Sequence, residues 1–373
     1  MKWSWQLGRV WGIKIQVHWT FLILIVWVVF VHASRGAGLR EIAGGVALVL
    51  AVFGCVILHE LGHALTARRF GVNTKDITLL PIGGVARLEK MPDDPKEELL
   101  VAAAGPAVNV LIAGLLFAGL TLWGTLQPVA DVSVVGGNLF VQLLWVNVIL
   151  VLFNLLPAFP MDGGRILRAL LATRIDYVRA TRIAAGVGQG MAVLFGFVGL
   201  MGNPFLVFIA IFVYLGAQAE AQQTELRMAL EGVPVEEAMM TRFRTLTPAD
   251  TVGDALDELL AGAQVDFPVI TNGELVGILV RRDLVEAVSG SGRDTPVGEV
   301  MRKDLKTVTA SGDLQAALAR MQADGGVTLP VLDGDGRLVG LLTRENLGEY
   351  LMVHAAMHGL RGRSRMAAVL SRR

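Results

Sequence analysis

The chain is expected to be a polytopic α-helical membrane protein of six spans, followed by a soluble α/β tandem module. Three observations predict this. The composition is 53% hydrophobic and 18% charged, with mean hydropathy +0.56. That is too apolar for an ordinary soluble protein and too charged for one lying wholly in lipid. The apolar excess is uneven. Residues 1–231 hold 17 Lys+Arg and 14 Asp+Glu, most of them between apolar blocks, whereas 232–350 hold 11 and 19 and read as soluble. Finally, 235–350 repeat themselves. Val235-Glu-Glu-Ala-Met239 matches Val297-Gly-Glu-Val-Met301, and Phe267-Pro-Val-Ile matches Leu329-Pro-Val-Leu. The period of about 62 residues makes one paired module, each copy β-α-β-β-α, too short a series for a solenoid. The net charge of zero averages three unlike regions and points to no partner.

Apolar blocks of spanning length fall near 17–33, 42–66, 99–123 and 139–159. The first follows a basic stretch but lacks a small-residue cleavage site, so it reads as a spanning helix rather than a cleavable signal. A longer region, 184–219, is interrupted by Gly202-Asn203-Pro204. It reads as two helices and six spans; one kinked helix would leave five. With a cytoplasmic amino terminus and six spans, 14 Lys+Arg fall in inside segments, among them Arg68, Arg69, Arg165 and Arg168. Only Arg35 and Arg40 fall outside. This positive-inside bias returns the soluble half to the cytoplasm. Residues 76–88, broken by Pro81 and Gly83-Gly84, read as a strand or hairpin at the membrane edge. Cys55 is the only cysteine; it precludes an intrachain disulfide and reads as a small packing residue.

The chemistry sits in two of the blocks. His59-Glu60-Leu61-Gly62-His63 closes the second. On a helix, positions i and i+4 share a face, so His59 and His63 can hold one metal ion. Glu60 is turned by about 100° and can reach a water at that ion instead. Catalytic zinc uses three protein ligands and leaves the fourth position open. The second block ends at Arg68-Arg69, which puts His59 about 13 Å from the charged edge. Asp162 lies just before Arg165, at a matching depth, and is the best candidate for the third ligand. Ionisable groups within a bilayer default to a functional reading. The bland alternatives are a solvated helix for the histidine motif and ordinary turn chemistry for Pro160-Met-Asp-Gly-Gly164. The uncharged run Val52–Leu58 argues against the first.

Over residues 5–220 the sequence resembles the site-2 protease family of intramembrane metalloproteases. The resemblance is carried by His59-Glu60-Leu-Gly-His63, by Gly105-Pro-Ala-Val-Asn109, and by Asn154-Leu-Leu-Pro157 with Pro160-Met-Asp162-Gly-Gly. It implies that His59, His63 and Asp162 bind Zn2+, that Glu60 activates water, and that the bond cut is a peptide bond of a membrane-spanning protein. It also implies that Asn154 lines the site and donates to the oxyanion; a helix C-cap or an interhelical hydrogen bond is the alternative. Gly105 and Asn109 are assigned to close helix packing.

Residues 235–350 resemble a pair of CBS domains, which often bind adenine nucleotides. The family's ligand pattern is a Ser/Thr three residues before Asp/Asn. The second copy has Thr343 and Asn346; the first keeps Asp283 but has Val280 in the hydroxyl position. AMP or ATP is the implied ligand, and a purely structural module that forms a homodimer is the alternative.

The expected organisation is a metalloprotease domain at 1–220 and a linker at 221–234. CBS repeats follow at 235–290 and 291–350, then a basic tail at 351–373. The tail carries His354 and His358 but no matching acid, and reads as an amphipathic helix on a membrane or partner surface. His18 and His32 read as interfacial or capping residues. The expected location is the cell membrane, multi-pass, with the amino terminus and CBS pair cytoplasmic. The expected partners are the bilayer and a membrane-embedded substrate; nothing points to nucleic acid. A CBS-regulated transporter or channel is the competing class. It requires polar residues along a pathway rather than at one site.

Overall fold

The computed structural model describes the chain except residues 1–2, 82, 89–91, 93, 127–136, 324–327, 355 and 357–373. His358 and nearly all of the basic tail lie outside the described residues. The chain divides into two compact units, Met1–Thr224 and Glu225–Arg373.

The first unit begins with strands β1 (Ser4–Val10) and β2 (Ile13–His18). They form a hairpin closed by Trp11-Gly12, both at positive φ, with Val10 opposite Ile13. That is the twist a two-residue hairpin loop favours. Helices α1 (Phe21–Ser34) and α2 (Leu39–Arg69) follow, then β3 (Thr74–Leu80) and β4 (Gly83–Leu88). The sheet order is β1-β2-β3-β4, with β2 and β3 parallel and the outer pairs antiparallel. Residues 76–88 are the hairpin that their turn signals suggest. The amino-terminal hairpin was not expected, because its apolar residues run straight into the first block. Ile13, Ile15 and Val17 are buried at every second position, the period of a strand and not of a helix. The first helix therefore starts at Phe21, later than the block at 17–33.

The sheet lies along the second half of α2. Ile13 and Ile77 pack on Leu61 and Ala64, while Val17 and Leu79 pack on Phe53. Along α2, His59 lies between Phe53 and Leu61. Helix α3 (Pro95–Leu122) crosses close to α2, where a Cβ on Gly62 would come within 2.8 Å of the Ala104 carbonyl oxygen. Close backbone approach at small residues is how helices associate in lipid. Then come α4 (Leu139–Asn154), α5 (Asp162–Ala172), α6 (Tyr177–Leu200) and α7 (Pro204–Leu230). The break at Gly202-Asn203 does separate two helices.

Among the described residues, four helices (α2, α3, α6 and α7) are long and apolar enough to cross a membrane. The apolar helices α1 and α4, at 14 and 16 residues, are shorter. Residues 162–172, read from the sequence as a charged inside loop, form an amphipathic helix. Its Arg168 is buried rather than solvated.

The second unit is an α/β pair. One half holds α8 (Val252–Ala261), β5 (Phe267–Thr271), β6 (Glu274–Leu279) and α9 (Arg281–Gly290). The other holds α10 (Val297–Val300), β7 (Val308–Thr309), α11 (Leu314–Ala323), β8 (Leu329–Leu332) and β9 (Leu338–Leu342), and residues 344–354 are helical. The lead-in segments are exchanged. Val235 and Ala238 pack in the core built by Leu314, Leu329 and Leu342, whereas Val297 packs with Phe267, Leu279 and Leu284. Backbone bridges Met240–Leu341 and Ile278–Arg302 fix the exchange.

Candidate metal centre

The two histidines sit one turn apart on the buried side of α2, with their rings at 84°. Each ring has its outer nitrogen engaged. His63 Nδ1 lies 2.7 Å from the carbonyl oxygen of Val101, and His59 Nδ1 lies 3.0 Å from Asn109 Oδ1, both on α3. A carbonyl oxygen only accepts, so His63 Nδ1 carries the proton, and in the neutral ring its Nε2 presents a lone pair. His59 is set in the same way by the Asn109 oxygen. Such outer partners fix the tautomer and the orientation of metal-ligating histidines.

The inner atoms converge. The two Nε2 atoms are 3.1 Å apart, and Asp162 Oδ2 is 3.2 Å from each. Among the described residues, His59, His63 and Asp162 are the group of acid, thiol and imidazole side chains placed to hold a metal ion. All three are buried. With the ring protons on Nδ1, Asp162 Oδ2 has no donor and remains an unpartnered buried atom. Three lone pairs facing one another out of water are repulsive unless a cation lies among them. Ligands about 2.0–2.1 Å from a tetrahedral zinc stand roughly 3.3 Å apart. The observed triangle matches that size and fits zinc's preference for imidazole and carboxylate donors.

The local sequence explains the convergence. A Cβ on Gly105 would lie 2.2 Å from His63 Nε2 and 2.8 Å from His59 Cε1, so only glycine leaves room for the rings. Asp162 is the first residue of α5, after the N-cap Met161. Gly163 and Gly164 let that first turn lie against the backbone of residues 155–159. The Asp-Gly-Gly stretch thus opens a helix and is not a free turn.

A cavity of about 360 Å3 opens beside these atoms. Its lining includes Glu60, Asn154, Arg165 and the β4 residues Gly83–Ala86. Glu60 packs against Gly84, where a Cβ would come within 2.9 Å of its Cγ. Asn154 ends α4 with its side chain at the cavity, and the C-cap position falls to Leu155. The structure thus brings Glu60, Asn154, His59, His63 and Asp162 together around one space. Asn109 does more than pack, since it holds His59. Its position four residues after Gly105, on the same helical face, was the available signal.

The CBS-type positions are each engaged by other protein groups. Both carboxylate oxygens of Asp283 are taken by Arg302, at 2.5 and 2.9 Å. The Arg302 hydrogen bonds and charge hold the Asp283 carboxyl below the usual range. Thr343 donates to Asn346 Oδ1 at 2.7 Å and accepts from the Asn346 backbone N–H. A cavity of about 400 Å3 in this unit is lined by Arg302, Lys303, Lys306 and Thr328, without Asp283, Thr343 or Asn346. His18 pairs with Thr20, and His32 is buried and donates to the Val28 carbonyl.

The model of peptidase family M50 matches residues 47–135 and 129–195, the segments that carry both histidines and Asp162. A zinc metalloprotease of Methanocaldococcus jannaschii is 32% identical over 335 residues, 86% of this chain and 95% of that one. The chain belongs to peptidase family M50. This M50 enzyme is a zinc metalloprotease that carries a CBS pair, since the CBS domain model matches 235–290 and 297–353. Among solved structures, a site-2 protease from Methanocaldococcus jannaschii is 37% identical with a TM-score of 0.44. It covers 59% of the M50 chain described here and 95% of its own. CBSX2 from Arabidopsis thaliana is 29% identical with a TM-score of 0.30, covering 35% and 98%.

Proposed function

We propose that the chain hydrolyses a peptide bond of a membrane-embedded protein, near the cytoplasmic face, with His59, His63 and Asp162 as zinc ligands. The observation that carries this reading is the convergence of two imidazole nitrogens and a carboxylate oxygen, 3.1–3.2 Å apart and buried. Zinc supplies Lewis acidity: it lowers the pKa of water toward about 7 and polarises a carbonyl. Glu60, next to His59 and lining the same cavity, takes the proton of the attacking water and passes it to the leaving amine. Asn154 donates its amide to the oxygen that gains charge. Asn109 and the Val101 carbonyl keep both rings in the ligating tautomer.

A helical substrate must unwind before water reaches its carbonyl. Strand β4 is the end strand of its sheet, and its residues line the cavity. An extended substrate segment pairing with that edge would be held beside Glu60 by main-chain hydrogen bonds. The loop charges support a cytoplasmic amino terminus and six spans, and the division into compact units at Thr224–Glu225 supports a domain boundary near residue 220.

The decisive experiment replaces Glu60 and follows cleavage of a coexpressed membrane substrate. Glu60→Gln is expected to keep zinc and to lose about 10²–10⁴-fold in rate, the usual share of a general base. Unchanged cleavage removes the mechanism.

For the CBS pair we propose regulation by an adenine nucleotide, with Thr343, Asn346 and Asp283 as the ligand positions. The support is sequence pattern: the hydroxyl–amide pair of the second copy is intact, while Asp283 is held by Arg302. Calorimetry of the full chain with AMP and ATP tests it. No heat with either favours a structural, dimer-forming module.

A further inference from the structure

We propose that Arg168 is a positioning residue for the metal site: it locks α5, and with it Asp162, onto the face of α3 that orients both histidines. This rests on the ligand set proposed above.

Arg168 is 1% exposed and Glu98 is fully buried. Arg168 donates from Nε at 2.8 Å and from a terminal nitrogen at 2.5 Å to Glu98 Oε1 on α3. Its other terminal nitrogen donates at 2.7 Å to Glu220 Oε1 on α7. The guanidinium lies 5.1 Å from the Phe159 ring and 5.0 Å from the Tyr177 ring. One side chain thus ties α5 to α3, α6 and α7, and to the loop that precedes Asp162.

The partners on α3 are not arbitrary. Glu98, Val101, Gly105 and Asn109 follow one another at helical spacing on one buried face. Val101 and Asn109 hold the two histidines, and Gly105 makes room for them. Glu98 is one turn from Val101, and Arg168 is six residues from Asp162, about 9 Å along α5. The ion pair therefore sets the third ligand against the helix that sets the other two. A buried ion pair is weak as a source of stability, because desolvation offsets most of its attraction. What it adds is geometry. The planar fork of arginine reaches two carboxylates in fixed directions, which a lysine ammonium cannot reproduce.

The test is zinc affinity by chelator competition on the detergent-solubilised full chain carrying Glu60→Gln, so no catalysis is needed. Arg168→Lys, which keeps the charge, is expected to weaken zinc binding at least about tenfold, within the range for groups that orient metal ligands. Glu220→Gln removes one arm at the less buried end and is expected to weaken it about two- to fivefold, which keeps a readout if Arg168→Lys fails to fold. In the otherwise native enzyme, Arg168→Lys should lower kcat with KM unchanged. A folded Arg168→Lys protein with native zinc affinity and kcat, or only a lower melting temperature, overturns the proposal. Zinc retained in His59→Ala would instead refute the ligand set on which it rests.

Discussion

Two buried polar clusters sit six residues apart on α5, and they solve opposite problems. Around Arg168, three hydrogen bonds to two carboxylates and two aromatic rings close the charges on themselves. Around Asp162, two imidazole nitrogens and a carboxylate oxygen converge on one point, and with both ring protons on Nδ1 the Asp162 oxygen has no donor. In an apolar surrounding each unpaired polar group costs free energy. The first cluster holds its own cation, although Glu98 Oε2 is buried without a hydrogen-bond partner; the second presents the donor set of a metal site. That contrast separates a structural ion pair from a metal site where composition alone would not, since both consist of buried ionisable residues in apolar helices.

The sharpest way to break the contrast is to remove support from the second cluster while leaving its ligands. Asn109→Leu frees His59 Nδ1 from its partner and permits the wrong tautomer. Zinc affinity should fall about 10–100-fold, the range for groups that orient metal ligands. Equal affinity in chelator competition would mean that the ring is held by packing alone.

A smaller effect belongs to a closed pair at the surface of the second unit. Arg302 depresses the Asp283 carboxyl, so the folded value lies below the unfolded one. The stability from this pair is fully present above the unfolded value and is lost as pH falls through the folded one. Both side chains keep some exposure, which limits the contribution to about 1 kcal/mol or less. Arg302→Leu should remove that acid-side loss from the melting of the CBS transition. An acid-side slope identical to the native protein would assign it to other carboxylates.

The candidate metal site was legible because its proposed ligands are local or share a depth. Spacing of four placed His59 and His63 on one face, and loop charge put Asp162 level with them. The supports were harder to see. Asn109 and Val101 act across a helix pair, and spacing within α3 names a face without naming what meets it. Arg168 was counted with the loop charges, because an arginine near a basic stretch looks solvated until its two carboxylates come from other helices. The amino-terminal hairpin was hidden by continuity: its alternating apolar residues join the run of α1, and a block of apolar residues does not declare where its period changes from two to 3.6. The CBS pair was visible as a repeat, because its period survives in the sequence even where a ligand position does not.

The exchanged lead-in segments make the two CBS copies one folding unit. A chain ending at residue 290 would keep α8 and α9 but lose Val297 and Met301 from beneath them, and would leave Val235 and Ala238 without the core they fill. Neither repeat has a sequence interval that contains its own hydrophobic interior. The boundary that the repeat marks in the sequence is thus not a boundary of stability: cooperative unfolding cannot stop there.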